Sequence, residues 1–250
     1  MTKINLKFSI ITAVRNGSKV IPVTLASVAS QQYPAIEHIV IDGASTDDTA
    51  EIVRRTAPHV SQLISEPDNG VYDAFNKGLR LATGDVVAYL NAGDVYTDPW
   101  VINRVAEAFA DSRLDAAFGD IDIINSLDSP NPVRRIRLQD FTPARLSAGF
   151  MPPHPALFIR RSAYDRVGEY DPSYRIAGDF EICVRLFAKQ SIRFRHLPHV
   201  LALMPRGGLS NSGWRSVWTI TIEMYRACKT HGLPASYLRL IARLPRKFIE

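Results

Sequence analysis

The run Val86-Val87-Ala88-Tyr89-Leu90-Asn91-Ala92-Gly93-Asp94 sets the architecture of this chain. Its first five residues are apolar or aromatic, the composition of a short strand buried on both faces. Asn-Ala-Gly-Asp then suits a turn at the strand's carboxyl end. In open α/β sheets ligands sit in the crevice just beyond the carboxyl ends of strands. An acid there reaches a hard metal ion, and such an ion can hold a diphosphate. Read alone, Asp94 is more readily an ordinary turn-capping aspartate, and the rest of the chain decides against that.

Outward from this run, strand and helix patterns alternate. Residues 8–14 read as a strand, and an apolar helical face (Val20, Val23, Leu25, Val28) ends before Pro34. Residues 36–41 read as a second strand, 49–55 as a helix, 60–65 as a third strand and 72–82 as a helix with Ala74, Phe75, Leu79 and Ala82 inward. Short loops between alternating elements predict a mostly parallel sheet flanked by helices. Further on, 101–111 reads as a helix, 116–121 and 156–159 as strands, and 126–145, with Pro130, Pro132 and Pro143, as an exposed connection. Helices are expected after Gly178-Asp179 and over 214–229, and residues 236–249 mix Leu and Ile with Arg and Lys.

The 250 residues, 46% hydrophobic and 22% charged, bound an ordinary globular chain. Cys183 and Cys228 have no metal-like spacing, and both read as reduced core thiols. No signal peptide and no run of eighteen apolar residues is seen, so the expected location is cytoplasmic, at most on the inner face of the membrane. Residues 1–125 hold 10 basic and 16 acidic side chains, residues 126–250 hold 20 and 9. An acidic first half suits metal and donor binding, and a basic second half suits anions. The glycine signatures of dinucleotide folds and P-loops are absent.

Four motifs stand in order: Phe8 to Gly17 (FSIITAVRNG), Ile39 to Thr49 (IVIDGASTDDT), Asp68 to Gly78 (DNGVYDAFNKG) and Ala82 to Asp94 (ATGDVVAYLNAGD). Together they resemble the family 2 inverting nucleotide-sugar glycosyltransferases of GT-A fold, of the type of bacterial exopolysaccharide and colanic acid enzymes. A second block, His154 to Arg161 and Ala177 to Leu186, resembles the acceptor side of that family. The resemblance implies one GT-A-like domain over 1–229, with a nucleotide-sugar part (7–125), a less regular acceptor-side part (126–229) and a basic amphipathic tail (230–250).

The resemblance also implies roles. Asp42 would accept a hydrogen bond from the donor's base, although Gly43 follows where many members carry a second acid. Ala13 and Arg15 would line the nucleotide, and Asp73 and Asn76, on one helix face, would stand beside the donor. Asp94 would be the Mg2+ or Mn2+ ligand and Asn91 a ribose partner, in a motif that retains only its last acid. Asp179 would be the general base. His154 and Glu181 fall on the acceptor side, and Arg206, beside the Gly207-Gly208-Leu209-Ser210 loop, would meet the diphosphate. The expected partners are a nucleotide-diphosphate sugar and a saccharide or lipid-linked acceptor, with peripheral membrane contact and no nucleic acid. A nucleotidyltransferase and a non-catalytic nucleotide-sugar-binding module remain as alternatives.

Overall fold

The computed structural model describes residues 6–206 and 214–242. Gly207 to Ser210 and the tail beyond residue 242, both singled out above, lie outside them. The described residues build one nine-stranded sheet in the order β3-β2-β1-β4-β8-β6-β9-β5, with β7 paired to β6. β1 (Phe8–Val14), β2 (Ile36–Asp42), β3 (Val60–Ser65) and β4 (Val86–Tyr89) are parallel. Their connections are α1 (Ile21–Ala29), α2 (Thr49–Thr56) and α3 (Val71–Leu81). The near-continuous apolar strands are accounted for: Phe8, Ile10, Ile11, Ile39, Val40, Ile41, Val86 and Val87 have no exposed surface, because helices cover both sheet faces.

Beyond β4 the sheet becomes mixed. β5 is Val95–Tyr96, α4 is Val101–Ala108, β6 is Ala116–Ser126, β7 is Ser129–Ile136 and β8 is Leu157–Arg160. β8 runs antiparallel between β4 and β6, and β9 (Phe194–Pro205) lies parallel to β6 and antiparallel to β5. The expected connection over 126–145 is partly a strand. β7 carries Pro130 and Pro132 because it pairs on one side only, and its register with β6 slips at Ile123/Ile124 and Ile124/Ser126. An edge strand with bulges tolerates missing donors.

The remaining helices are α5 (Arg161–Val167), α6 (Gly178–Cys183), α7 (Trp214–Thr230) and α8 (Tyr237–Ala242). α6 continues into a π-helical turn, Val184–Lys189. These elements pack on the same sheet face as α3, in one core cluster that runs from Tyr72 and Phe75 through Phe180 and Ile182 to Met224 and Cys228. That packing folds the C-terminal half against the start of α3.

Candidate active site

β1, β2, β3 and β4 point the same way, so their carboxyl ends form one edge. Val14 pairs with Asp42 at that edge, and the Gly43 N–H donates to the Val14 carbonyl at 2.9 Å. Ala13 is half-buried and Arg15 exposed beside them.

Asp42 differs from its expected role. It is 0% exposed. The Ser45 N–H and hydroxyl and the Ser65 hydroxyl, at 2.6 Å, all donate to its carboxylate. A carboxylate so engaged pins the loop after β2 and is not presented to a ligand. The acid left half-exposed at this corner is another one, Asp68. A Cβ added at Gly43 would fall 2.1 Å from Asp68 Oδ2 and 3.5 Å from Arg15 Cδ. Asp68, on the loop before α3, therefore fills the space that a second acid at position 43 would occupy. Sequence reading passed over it, although Pro67-Asp68-Asn69-Gly70 is a clear turn signal.

After β4 the chain turns through Asn91 to Asp94, closed by the Asp94 N–H donating to the Asn91 carbonyl at 2.9 Å. Gly93 sits at φ +100°, a conformation that L side chains rarely adopt. Thr24 of α1 braces the turn: its hydroxyl donates to the Asp94 carbonyl at 2.8 Å and accepts from the Gly93 N–H at 2.9 Å. The Asp94 residue is only 7% exposed, and burial pushes its carboxyl up to about 7. Among the described residues no donor or cation meets that carboxylate. The neighbouring Asn91 Oδ1 is likewise buried without a partner. Buried polar atoms are normally satisfied, so two oxygen ligands left open on one turn fit a cation. Among the described residues no group of three His, Cys, Asp or Glu could hold one. The Asp94 carboxylate and the Asn91 amide oxygen are hard oxygen donors of the kind Mg2+ and Mn2+ accept beside phosphate oxygens and water.

β9 carries Arg206 to the same edge. Its antiparallel register with β5 (Val95 opposite Leu203) runs its last residues toward Asp94, and the exposed Arg206 follows, its N–H bonded to the Ile124 carbonyl at 2.8 Å.

Asp179 arrives from the far half. α3 starts at the carboxyl edge, and its Tyr72 ring lies so close to Gly178 that a Cβ there would come within 2.7 Å of it. Gly178 allows this approach, and the next residue, Asp179, is half-buried beside the Tyr72 hydroxyl. Burial raises the Asp179 carboxyl to about 6. The Phe180 N–H, donating at 2.8 Å, and the Tyr72 hydroxyl pull it down, while the Glu223 charge pushes it up. Glu223, on α7, is a second residue that sequence reading missed. Its buried carboxylate accepts the N–H groups of Arg175, Ile176 and Ala177 at 2.8, 3.0 and 2.8 Å. One side chain thereby fixes the whole segment leading into Asp179. The available signal was an acid at a buried helical spacing among Ile220, Met224 and Ala227.

Three expected ligands have structural duties instead. Asn76 exchanges two 2.8 Å hydrogen bonds with the Tyr170 backbone. The His154 ring packs against both Phe75 and Tyr89, at 5.2 Å from each, bonds the Tyr170 hydroxyl at 3.0 Å, and is held at about 4 by burial, hence neutral. Glu181 is bidentate to Arg185 at 2.8 Å and meets His231 at 2.7 Å. All three are buried, and their polar atoms are used in holding α3, the loop around Tyr170 and α6 together. Asp73 stays half-exposed and accepts the Asn69 N–H at 3.0 Å, bracing the first turn of α3.

A mixed, mostly parallel sheet flanked by helices is the fold of the GT-A transferases. Residues 9–168 match the family described as Glycosyl transferase family 2, and the chain belongs to that family. It is 32% identical over 210 residues to the PGL/p-HBAD biosynthesis glycosyltransferase of Mycobacterium bovis, covering 82% of this chain and 79% of that protein. An uncharacterized glycosyltransferase of Mycobacterium tuberculosis is 34% identical over 181 residues, 71% of this chain and 67% of its own length. Among solved structures, Staphylococcus aureus TarS 1-349 in complex with UDP-GlcNAc superposes with a TM-score of 0.69 at 19% identity, over 87% of this chain and 66% of that one. This chain spans 39% of a longer TarS chain. The Pyrobaculum calidifontis mannosyltransferase PcManGT, in complex with GDP-Man and Mn2+, gives 0.61 at 18% identity, over 98% and 81%.

Proposed function

We propose that this chain transfers a sugar from a nucleotide-diphosphate donor to a hydroxyl of a saccharide or lipid-linked acceptor, with inversion. The observation that carries the reading is the placement of Asp179 through Tyr72 and Gly178, which sets a raised-pKa carboxylate at the start of α3. A base with that pKa is deprotonated near neutrality yet strong enough to take a proton. Asp179 removes the acceptor hydroxyl proton as the oxygen attacks the anomeric carbon. The bond from that carbon to the diphosphate breaks, and the nucleoside diphosphate departs from the opposite face. A single displacement needs one base and no carboxylate nucleophile, unlike retaining hydrolysis.

On the donor side, Arg15 and Asp68 face the base from the β1 and β2 corner, with Ala13 and Asp73 beside them. Asp94 and Asn91 would hold Mg2+ or Mn2+, which when bound neutralises charge on the departing diphosphate. Arg206 supplies a further cation to that diphosphate. Nucleotide sugars in the related TarS and PcManGT structures, and Mn2+ in the latter, support this reading.

Thermal denaturation with UDP, GDP or dTDP, each with and without Mn2+, tests it. One diphosphate is expected to raise Tm, more so with Mn2+, and Asp94→Ala to abolish the metal increment. Asp179→Asn is expected to keep the nucleotide shift and lose at least about a hundredfold in transfer. No shift with any nucleotide overturns the donor site, and undiminished transfer by Asp179→Asn overturns the base.

A further inference from the structure

The outer face of α7 is built unlike an ordinary solvent face. Its inner positions, among them Ile220, Glu223, Met224 and Ala227, are buried. On the outer side Arg215, Trp218, Ile222 and Lys229 recur at helical spacing, all exposed. Trp218 is 50% and Ile222 51% exposed, large apolar groups left in water a turn apart. The surface continues onto α8. Tyr237 stacks on Tyr225 of α7 at 4.0 Å, and Leu238 beside it is 81% exposed, followed by the exposed Arg239.

Charge selects the partner. Residues 214–242 contain a single acid, Glu223, and that acid is turned inward onto three backbone N–H groups. Contiguous exposed apolar groups mark an interaction surface. Cations flanking an indole and aliphatic side chains, with no carboxylate among them, complement an anionic headgroup layer over an acyl interior. A second copy would set these cations against their like.

We propose that the α7 and α8 face docks the chain on an anionic lipid surface. Trp218, Ile222 and Leu238 enter the headgroup boundary, and Arg215, Lys229 and Arg239 meet lipid phosphates. The inner side of α7 holds the segment before Asp179 through Glu223. Docking therefore brings the base's side of the edge close to the bilayer, within reach of an acceptor anchored there. The docking itself does not depend on the transfer reading.

Co-sedimentation of the full chain with vesicles tests it, using phosphatidylcholine alone and phosphatidylcholine mixed with phosphatidylglycerol. Binding is expected only to the mixed vesicles, weakening as salt rises. Trp218→Ser with Ile222→Ser is expected to weaken it at least about tenfold, and so is Leu238→Ser with Lys229→Glu. These positions are exposed, so both variants should melt within a few degrees of the parent chain. Absence of binding to mixed vesicles overturns the proposal. So does undiminished binding by both variants, or a solution dimer that the first variant dissociates.

Discussion

In the proposed reaction Asp179 works as a base only when it is deprotonated. Its carboxyl is raised to about 6 by burial, so kcat/KM is expected to climb as pH rises through about 6 and to level off above 7. A pH-rate profile flat down to pH 5 would contradict this. The same elevation costs stability. A carboxyl whose folded pKa lies above its unfolded value makes folding less favourable as pH rises past both, so Asp179→Asn is expected to stabilise the fold by ~1–2 kcal/mol at pH 8 while removing transfer. Chemical denaturation of both forms measures this. Glu223 acts through Asp179. Glu223→Gln removes a negative charge beside the base and leaves one side-chain oxygen for three N–H donors. The expected result is a kcat loss of roughly tenfold or more together with a downward shift of the pH-rate midpoint. A residue that merely filled space would leave the midpoint where it was.

Among the elements, the plainest in the sequence were the ones whose burial is uniform. β1, β2 and β4 are enclosed on both faces and read as continuous apolar runs, and α3 shows a clean inward face. β7 and β9 were not legible. β7 carries two prolines at an edge, and β9 interleaves Arg195, His196, Pro198 and His199 with its apolar positions, because much of its outer surface meets solvent. The site divides the same way. Turn acids at strand ends, such as Asp94, announce themselves by position. Asn76, His154 and Glu181 do not, because an inward polar side chain that stitches two segments has the same one-dimensional pattern as a ligand. Glu223 and Asp68 act on segments distant in the chain or in space, which no local spacing reveals.

The opposite, amino-terminal edge of the sheet supplies a test confined to stability. There the Glu37 carboxylate on β2 accepts from the Ser9 hydroxyl at 2.6 Å, from the Thr83 N–H and hydroxyl at 2.8 Å, and from Lys7 Nζ at 2.9 Å. These bonds hold it at about 2, below its ordinary 4.5, against the opposing effect of burial. Its stabilisation is therefore full above about pH 4.5 and is lost as pH falls toward 2. Glu37→Gln is expected to cost about 2 kcal/mol at neutral pH and to flatten the acid limb of the stability curve, with donor binding retained. Equal acid sensitivity in the variant would contradict this.

In the molecule as a whole, an acidic half that carries Asn91 and Asp94 meets a basic half that brings Asp179, Arg206 and the α7 surface. The two halves share one sheet, joined where β8 pairs with β4, so neither can present its part of the edge without the other. No described helix is long and apolar enough to cross a membrane. What remains to be measured is whether the two carboxylates serve one bound donor. Diffraction from crystals grown with Mn2+ and whichever nucleoside diphosphate raises Tm answers this directly, with manganese located by its anomalous signal. The expected map places Mn2+ against the Asp94 carboxylate and the diphosphate oxygens, with Asp179 across the space left for the sugar. A nucleotide bound away from the β1, β2 and β4 edge, or an ion that ignores Asp94, would contradict it.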